Sequence, residues 1–471
     1  MPEKYHIHVR PTPSRYPSVG KTTVLDWGEG CLRCTRCVKE TCPYNAFRQR
    51  DFDDRSLSDT IDTYCKNCLR CVQGCPRELV MKAANPRYRR LGDDYWTPAV
   101  IQSTWLQAET GKIPVSGAGY GGPFAGPGFD SIWTDMSEIV RPTRDGIHGR
   151  EYISTAIDLG RKPLFLVFDA QGRLTFEPPP QVNIPLPVLL AEPPFSAGPE
   201  LVREALAAAA RSLKTLALVN RENLTPELTA AAGHLAPSFP TGRVDPEDPL
   251  LSRVRLVELT DHDGVLAQVE ALKRRYPGLV TMIKVPADER AAARVSELAH
   301  AGAEVIHLFA DHHARGFLQA QDRHLKDLIR AAHLKLVEDH LRDTVTLLAS
   351  GGIALAEHVA KAIICGADGV IVDLPLLLAL ECRLCRACQR GGECPVAMDS
   401  LDPRRGAQRQ VNLMGAWNNQ LLEVLGAMGL REVRRLRGEV GRAMFVEELQ
   451  REIFAPLFSR PGPEGQRREG E

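Results

Sequence analysis

Residues 341–373 of this 471-residue chain read LRDTVTLLASGGIALAEHVAKAIICGADGVIVD. Two short runs rich in valine, leucine and isoleucine, at 345–349 and 369–373, have the composition of buried strands. Between them, AKAIICGAD places Cys365 on the apolar face of a helix, where we interpret it as a packed residue rather than a reactive one. A strand, a helix and a second strand in this order predict one unit of a parallel sheet.

The same alternation continues upstream of this unit. Helical patterns such as 199–212 and 288–303 separate further strand-like runs, which brings the number of predicted strands to eight. Eight parallel units of this kind close into a (β/α)8 barrel. We therefore predict an α/β fold with a TIM barrel over residues 161–380, whose functional groups lie at the carboxyl ends of its strands. The six other strands are predicted at 162–168, 187–192, 213–219, 254–259, 280–285 and 304–309.

Twelve of the thirteen cysteines form three strings that each end in Cys-Pro. A CxxCxxC run directs three thiolates from one tight loop toward one iron–sulfur cluster. Zinc is the alternative metal, because CxxC pairs also bind it tetrahedrally, but the triple spacing with Cys-Pro favours clusters. The predicted ligands are Cys31, Cys34, Cys37 and Cys42, then Cys65, Cys68, Cys71 and Cys75, and finally Cys382, Cys385, Cys388 and Cys394.

The first two strings resemble those of a two-cluster bacterial ferredoxin, and we predict an α+β dicluster ferredoxin-like domain over residues 20–85. In such ferredoxins the cysteine before proline serves the other cluster. The resemblance therefore implies that Cys75 completes the cluster of the first string, and that Cys42 completes that of the second. One departure is that four residues, instead of three, separate Cys37 from Cys42.

Charge and composition exclude several classes of protein. Lys plus Arg and Asp plus Glu both number 59, and a formal net charge of zero argues against a nucleic-acid binder that neutralises phosphates. Hydrophobic residues make up 44% of the chain, but no eighteen consecutive apolar residues occur, so we expect no membrane span. Cysteines in ligand spacing, behind an amino terminus without a secretory signal, predict a cytoplasmic location.

A glycine-rich stretch, SGAGYGGPFAGPGFD at 116–130, lies within a predicted connecting segment, residues 86–160, over the barrel. We interpret it as a lid or linker, since it is no dinucleotide-binding fingerprint. The residues after it suit either of two roles, binding of an anionic substrate or cofactor phosphate, or a salt-bridged loop over the barrel. They are Trp133, Arg141, Arg144, Asp145, His148 and Arg150.

From 256 to 399 the chain resembles the flavin-binding barrel domain of glutamate synthase. VTMIKV, LAHAGAEVIHLFADHHARG, the segment 341–373 and ECPVAMDSLDP follow in that family's order. The resemblance implies a bound FMN, with Lys284 near the flavin ring, where a cation stabilises the reduced isoalloxazine; a salt-bridged barrel lysine is the alternative. It also implies a flavin phosphate held at Ser350, Gly351, Gly352 and Ile353, after the seventh strand.

Two loops depart from that family's pattern. The loop after the sixth strand reads ADHHARGFLQAQDRH, where His312 and His313 are candidate acid–base groups or solvated loop residues. Asp373 stands after the eighth strand in place of a Gly-Thr pair, and a carboxylate repels a phosphate. The glycine- and glutamate-rich loop of the family is also unrecognisable in AAGHLAPSFPTGRV. We therefore expect a reaction other than the amination of 2-oxoglutarate that is usual in the family.

The resemblance implies a third cluster beside the flavin, in the loop 381–400 that carries the third cysteine string. Four cysteines favour [4Fe-4S] over [3Fe-4S], although spacing leaves the nuclearity open. Helices are predicted over 401–460, with NQLLEVLGAMGL and AMFVEELQREIF as amphipathic elements, and a disordered tail over 461–471.

These features predict an iron–sulfur flavoprotein oxidoreductase with three [4Fe-4S] clusters and one FMN. Electrons would pass between the clusters and the flavin to an unidentified small-molecule substrate, or to a redox partner or other subunits of an electron-transfer complex. The alternative is a flavin-free electron-transfer or scaffold subunit with a degenerate barrel, which the remodelled loops favour and which Lys284 and the glycine pair oppose.

Overall fold

The structure is a computed structural model of the full chain. It describes residues 5–16, 19–25, 36, 40–46, 58–59, 65–79, 81–113, 128–134, 153–446 and 451. Within these ranges no helix combines the length and the apolar character that a membrane crossing requires.

A small antiparallel sheet frames the amino-terminal cysteines. Strand β1 (Thr22–Leu25) lies between β2 (Ser58–Asp59) and β3 (Met81–Ala84). The short helix α1 (Arg70–Gln73) lies inside the second cysteine string. Because β1 precedes the first string and β3 follows the second, their pairing closes both strings into one loop of the chain.

Helix α2 (Pro98–Thr110) follows, with Pro98 at its first turn and the Thr97 hydroxyl accepting a hydrogen bond from the Val100 amide. Next along the chain, β4 (Ile132–Thr134) pairs with a strand from the carboxyl-terminal region. Strands β5 (Ile157–Gly160) and β6 (Gln181–Ile184) then form an antiparallel ribbon. The Gly160 amide donates to Thr346 at the start of a barrel strand, so this ribbon covers the amino-terminal end of the barrel.

Eight parallel strands form a closed barrel, which confirms the predicted fold. Most of their side chains are buried, as a barrel filled by layers of apolar residues requires. In chain order the strands are β7 (Val188–Ala191), β8 (Ala217–Asn220), β9 (Leu235–Phe239), β10 (Leu256–Thr260), β11 (Val280–Pro286), β12 (Val305–Phe309), β13 (Thr346–Ser350) and β14 (Gly369–Val372).

One predicted strand was wrong and one was missed. Residues 162–168 form no barrel strand and project from the ribbon between β5 and β6. The third strand is instead β9, whose sequence LAPSF carries Pro237 opposite Val219 of β8. Proline is unusual inside a sheet because it cannot donate a hydrogen bond, and its presence hid this strand.

Helices alternate with the strands and cover the outside of the barrel. Cys365 ends the helix between β13 and β14 and is buried, and burial raises the pKa of its thiol to about 12. The helices are α3 (Pro199–Ser212), α4 (Pro226–Thr229), α5 (Val265–Arg275), α6 (Ala291–His300), α7 (Leu325–Glu338), α8 (Ala356–Cys365) and α9 (Leu374–Ala379).

The long helix α10 (Pro403–Ala427) crosses α2, α3 and α8 and joins the amino-terminal segment to the barrel. Its Arg409 is buried and donates to the carbonyl oxygens of Ala379 and Thr12. Strand β15 (Ala443–Phe445) then pairs with β4. Part of the predicted element AMFVEELQREIF is thus a strand, while most of its remainder and the predicted tail lie outside the described residues.

Candidate functional site

Four polar side chains form one hydrogen-bonded chain inside the carboxyl-terminal half of the barrel. Ser238 of β9 donates to Glu258 of β10, with 2.5 Å between Oγ and Oε2. Glu258 Oε1 lies 2.6 Å from Nδ1 of His307 on β12, and Nε2 of that ring lies 2.7 Å from Oγ of Ser350 on β13. Inward-facing positions of nearby strands bring these groups together.

Glu258 and His307 are each only 2% exposed, so the ionisation of each depends strongly on the other. Burial opposes ionisation of Glu258, but His307 and Lys284 outweigh it and hold the pKa of the carboxyl below its usual range. Burial also lowers the pKa of His307, against the pull of Glu258. We therefore assign an ionised Glu258 that accepts from Nδ1 of a neutral ring, whose Nε2 accepts from the Ser350 hydroxyl.

Lys284 lies near the end of β11, opposite His307 of β12 and partly exposed at the mouth of the barrel. Its Nζ lies 4.6 Å from the centroid of the Phe309 ring. In the described part of the chain, this ammonium has no carboxylate within ion-pair distance, whereas it acts electrostatically on Glu258 and Asp373. Its position is that of a cation available to a ligand at the mouth.

The turn after β13 is formed by a pair of glycines in the left-handed region, Gly351 with φ 101° and Gly352 with φ 65°. A Cβ on Gly351 would lie 2.5 Å from the carbonyl oxygens of Ala310 and Asp311, so the turn touches the loop after β12 directly. The buried amides of Gly351, Gly352 and Ile353 find no acceptor among the described residues. Amides without an acceptor, just ahead of a helix, are suited to binding an anion.

Asp373 follows β14, next to this turn in the barrel order, and caps α9 by accepting from the Leu374 amide at 2.6 Å. Burial raises the pKa of its carboxyl, although Lys284 and His312 pull it down. Burial thus favours the neutral form of the residue that replaces a Gly-Thr pair, which weakens its repulsion of an anion nearby.

His312 and His313 each bind a partner outside the barrel interior. His313 Nε2 lies 3.0 Å from Oδ2 of Asp93, and His312 Nε2 lies 3.0 Å from a guanidinium nitrogen of Arg386 in the third cysteine string. Burial, with the charges of His313 and Arg386, lowers the pKa of His312. The pair therefore connects the loop after β12 to the third string.

A short segment ahead of α2 holds these loops in place. Trp96 Nε1 donates to the carbonyl oxygen of His312 at 2.7 Å, and the Tyr95 hydroxyl donates to that of Gly352. Asp93 accepts from both of their amides and from His313. Residues 93–96 thus bind the loops after β12 and β13, the two loops nearest the candidate anion site.

The four cysteines of the third string, Cys382, Cys385, Cys388 and Cys394, line one cavity. Burial, together with the other three thiols, raises the pKa of Cys382 to about 12. Phe195, Leu377, Val396 and Met398 add apolar walls. In the residues that the structure describes, no three His, Cys, Asp or Glu side chains are arranged as ligands of one metal ion. A cubane takes each thiolate at a different iron, and its ligands need not meet at one point.

The second and third strings share an unusual backbone. In the second string the residues on either side of Cys68 have positive φ, 53° at Asn67 and 59° at Leu69. In the third string the same holds on either side of Cys385, with φ 48° at Leu384 and 55° at Arg386. Leucine and arginine rarely adopt this conformation, which costs on the order of 1–3 kcal/mol. The strained residues let the backbone turn sharply between the cysteines of a string. The Leu384 amide lies 3.4 Å from the sulfur of Cys382.

The Cys-Pro ends of all three strings also agree. The third residue after the cysteine has positive φ in each, at Asn45, Glu78 and Ala397. In the first two strings the next amide donates to the cysteine sulfur, from Ala46 to Cys42 at 3.3 Å and from Leu79 to Cys75 at 3.4 Å. Amides directed at sulfur stabilise a thiolate or a cluster-bound sulfur.

The structure places Cys42 of the first string beside the second. Burial raises the pKa of Cys71, and the nearby thiols of Cys65 and Cys42 raise it further, while Lys82 lowers it. Lys82 Nζ itself lies 3.0 Å from the sulfur of Cys65. None of the ten described cysteines is in a disulfide.

Several predicted site residues lie outside the described residues. They include most of the glycine-rich stretch. Trp133 is described, in β4, with a partly exposed side chain. The others are Cys31, Cys34 and Cys37, and Arg141, Arg144, Asp145, His148 and Arg150.

Residues 241–431 match the sequence model of a family described as the conserved region in glutamate synthase. This part of the chain contains Glu258, Lys284, His307, the turn after β13 and the third cysteine string. It is similar to the conserved region of the glutamate synthase family. Glu258, His307 and Ser350 of the polar chain therefore lie in the matched region, although Glu258 and His307 were not singled out from the sequence.

The relatedness extends over nearly the whole chain. An archaeal-type glutamate synthase [NADPH] of Dehalococcoides mccartyi is 25% identical over 473 residues, which cover 87% of this chain and 92% of that protein. The archaeal glutamate synthase [NADPH] of Archaeoglobus fulgidus is 27% identical over 494 residues, covering 90% and 94%. Among solved structures, a mandelate oxidase aligns with 65% of this chain and 97% of its own at 15% identity and a TM-score of 0.38.

Proposed function

We propose that this chain is an iron–sulfur flavoprotein oxidoreductase of the glutamate synthase type, with FMN at the carboxyl-terminal mouth of the barrel. The observation that carries the proposal is the combination of the Lys284 ammonium with three buried amides, those of Gly351, Gly352 and Ile353, at one mouth. A cation and a set of unpaired amides are what a flavin ring and its phosphate require.

The residues present fit FMN. The amides after Ser350 would hold the phosphate at the start of α8, and Lys284 would stabilise negative charge on the reduced ring. When bound, FMN supplies the exchange between one-electron transfer at clusters and two-electron chemistry at a substrate.

The polar chain gives this site a means of handling protons. The Ser350 hydroxyl is partly exposed at the mouth and donates to His307, while Glu258 holds the opposite side of the ring. His307 can therefore take a proton through Ser350, because the Glu258 carboxylate stabilises the resulting imidazolium. Ser238 keeps the second oxygen of that carboxylate bound and so fixes its orientation.

The three cysteine strings are proposed to hold three [4Fe-4S] clusters. The position of Cys42 beside Cys71 supports the exchange of ligands expected of a dicluster ferredoxin, with Cys75 serving the first string. The third string follows β14, and Arg386 within it binds His312 of the barrel loop. A cluster there would stand between the amino-terminal clusters and the mouth; a [3Fe-4S] cluster remains the alternative.

The proposed domain arrangement follows this path of electrons. A ferredoxin-like domain at 20–85 and a connecting segment at 86–160 precede the barrel at 161–380, the cluster loop at 381–400 and helices at 401–460. The relatives named above are glutamate synthases [NADPH], and a redox protein or another subunit would supply electrons to the clusters here. We propose a small-molecule substrate and a reducing, cytoplasmic setting.

A second candidate function is a flavin-free electron-transfer subunit with a degenerate barrel. Two observations favour it, namely Asp373 in place of Gly-Thr and the commitment of His312 and His313 to Arg386 and Asp93. In that case the barrel would serve as a scaffold for the third cluster.

Quantification of iron, sulfide and acid-released FMN in protein purified anaerobically distinguishes the two functions. We expect about twelve irons, since three cubanes carry four each, together with one FMN. Twelve irons with no flavin, even after incubation with excess FMN, would contradict the flavoprotein and support the scaffold. The variant Gly278→Ala is a matched control for substitutions in the glycine pair, because Gly278 has no neighbouring atom within 4 Å of an added Cβ.

A further inference from the structure

A hairpin between β5 and β6 exposes a run of large apolar side chains. Residues 164–168, with the sequence LFLVF, are between 54% and 79% exposed, and Phe165 is the most exposed of them. Other exposed large apolar residues that the structure describes do not form such a run along the chain. A soluble surface normally shows such residues singly, so a contiguous patch marks an interaction site.

The hairpin is a formed structure. Asp169 accepts hydrogen bonds from the amides of Gln171 and Arg173 and so closes the turn, and its own amide donates to the Arg173 carbonyl. The Thr175 amide donates to Val167, and Phe168 lies opposite Leu174. The chain bends at Leu164 and Phe165, and residues 166–168 run alongside the returning segment. Side chains alternate in this short extended stretch, so both of its faces are apolar. We name residues 162–177 the arm.

The outer edge of the arm is also unpaired. Val167 and Asp169 direct their backbone groups toward the returning strand. The alternate residues Leu166 and Phe168 direct theirs away from it and bind no described residue. An exposed, apolar edge strand is a template for pairing with another strand, and proteins normally shorten, charge or cover such edges.

The arm lies at the end of the barrel opposite to the mouth. Lys162 donates to the carbonyl oxygen of Thr344, ahead of β13, whereas the candidate active site begins at Ser350, where β13 ends. A partner bound to the arm therefore leaves the mouth and the third cysteine string accessible.

We propose that the arm is the interface of a homodimer, in which the edges of two copies pair antiparallel about a twofold axis near Val167. An antiparallel edge is complementary to itself, because each copy offers the same donors and acceptors in reverse order. In this register Leu166 of one copy faces Phe168 of the other, and apolar side chains of the two copies contact each other.

The exposed area suits this occupant. At roughly 200 Å² for a large apolar side chain, five residues exposed by more than half present on the order of 500 Å². Two copies together offer about 1,000 Å² of exposed apolar surface, which reaches the lower limit for a specific interface. A second copy brings the needed apolar area and the matching edge together.

Sedimentation velocity of the anaerobically purified full-length protein tests the proposal over a range of concentrations. The wild type should sediment at twice the 52.0 kDa of one chain. Replacement of both anchors, Phe165→Asp with Leu166→Asp, should weaken the dimer by roughly 30-fold or more. Leu334→Asp, which replaces an exposed leucine on α7, is the control and should leave the dimer intact.

Iron and FMN contents separate this proposal from the proposed function, because the arm lies away from both sites. The arm variant should retain the cofactors of the wild type. A wild type that stays monomeric at every concentration, or an arm variant as dimeric as the control, would overturn the dimer whatever the cofactors are.

A photo-crosslinking amino acid at position 166 tests the geometry separately. Irradiation should join residues 162–177 of two chains into a species of doubled mass, as identified by mass spectrometry. Cross-links confined to one chain would show that another segment of the same chain covers the arm, and would overturn the pairing.

Discussion

Glu258 and His307 are 49 residues apart in the chain, and their hydrogen bond of 2.6 Å is buried at the centre of the barrel. A carboxylate without this partner would be unfavourable by several kcal/mol, about 3–5 kcal/mol for a broken buried pair. The two hydrogen bonds of the His307 ring therefore fix its orientation, with Nε2 directed at Ser350. The ammonium group of Lys284 lies next to this chain of hydrogen bonds, at the mouth of the barrel.

Lys284→Met should lower the two-electron midpoint potential of bound FMN. Removal of the cation destabilises the reduced ring, and we expect a shift of roughly 30–60 mV, equivalent to about 1.4–3 kcal/mol. Spectroelectrochemical titration measures it. Lys284→Arg preserves the charge and should leave the midpoint potential close to that of the wild type. An unchanged midpoint potential in Lys284→Met would show that Lys284 does not act on the flavin.

Lys284 and the glycine turn were named from the sequence, because one lies near the end of a strand and the other follows a strand, at positions to which the family resemblance gives a meaning. Glu258 and His307 were missed because each is a polar residue between apolar neighbours, in VRLVEL or EVIHLF. Such a residue signals an inward-facing polar group only when its partner is known. That partner is on another strand, and only closure of the barrel brings the two together.

At the scale of elements, the strand propensity of a segment did not always match the structure that the segment adopts in the fold. The run at 162–168 has strong strand propensity, and it forms an exposed arm outside the barrel. LAPSF has weak propensity and a proline, yet β9 is held between β8 and β10. The number of strands was predicted correctly only because one error offset the other. Tertiary context decides such short segments.

Gly352→Ala should destabilise the contact between the loops after β12 and β13. An added Cβ would lie 2.4 Å from the Ala314 amide nitrogen, and φ is 65°, so we expect a loss of about 2–4 kcal/mol and of FMN affinity. Chemical denaturation and flavin titration measure the two effects. Gly278→Ala should change stability by no more than about 0.5 kcal/mol. Equal behaviour of the two variants would contradict the role of the close approach.

His324 caps α7 through Nδ1, which accepts from the Lys326 amide, and it packs edge-on against Phe129. Burial, with the charge of His358, lowers the pKa of the ring to about 4. An unfolded histidine titrates near 6.5, so the unfolded chain takes up this proton first as the pH falls. Stability present above pH 6.5 is therefore lost progressively toward pH 4, by on the order of 3 kcal/mol in all.

His324→Asn keeps a capping oxygen and removes the titration. Denaturant unfolding between pH 7.5 and 5.5 should show a smaller loss of stability in this variant than in the wild type. The exposed His6 provides the control, since His6→Asn should leave the slope unaltered. A wild-type slope in His324→Asn would show that another group causes the pH dependence.

At the scale of the whole molecule, the two ends of the barrel have different contacts. The amino-terminal end carries the ribbon of β5 and β6 with the arm, and the carboxyl-terminal mouth carries Lys284, Ser350 and the third cysteine string. Residues 93–96 and α10 connect the mouth to the amino-terminal segment. In the proposed function, the loop that holds Cys382 to Cys394 would connect the amino-terminal strings to the mouth.

Cys388→Ser tests whether that loop is the electron path. Loss of one thiolate should remove the third cluster, so that iron falls from about twelve to about eight per chain while FMN content is unchanged. Reduction of the flavin by a protein donor that delivers electrons to the amino-terminal clusters should then slow by at least tenfold, because the intermediate carrier is missing. Stopped-flow absorbance measures this rate. Cys365→Ser replaces the buried cysteine outside the strings and should preserve both iron content and rate; fast reduction of the flavin in Cys388→Ser would mean that electrons reach the barrel by another route.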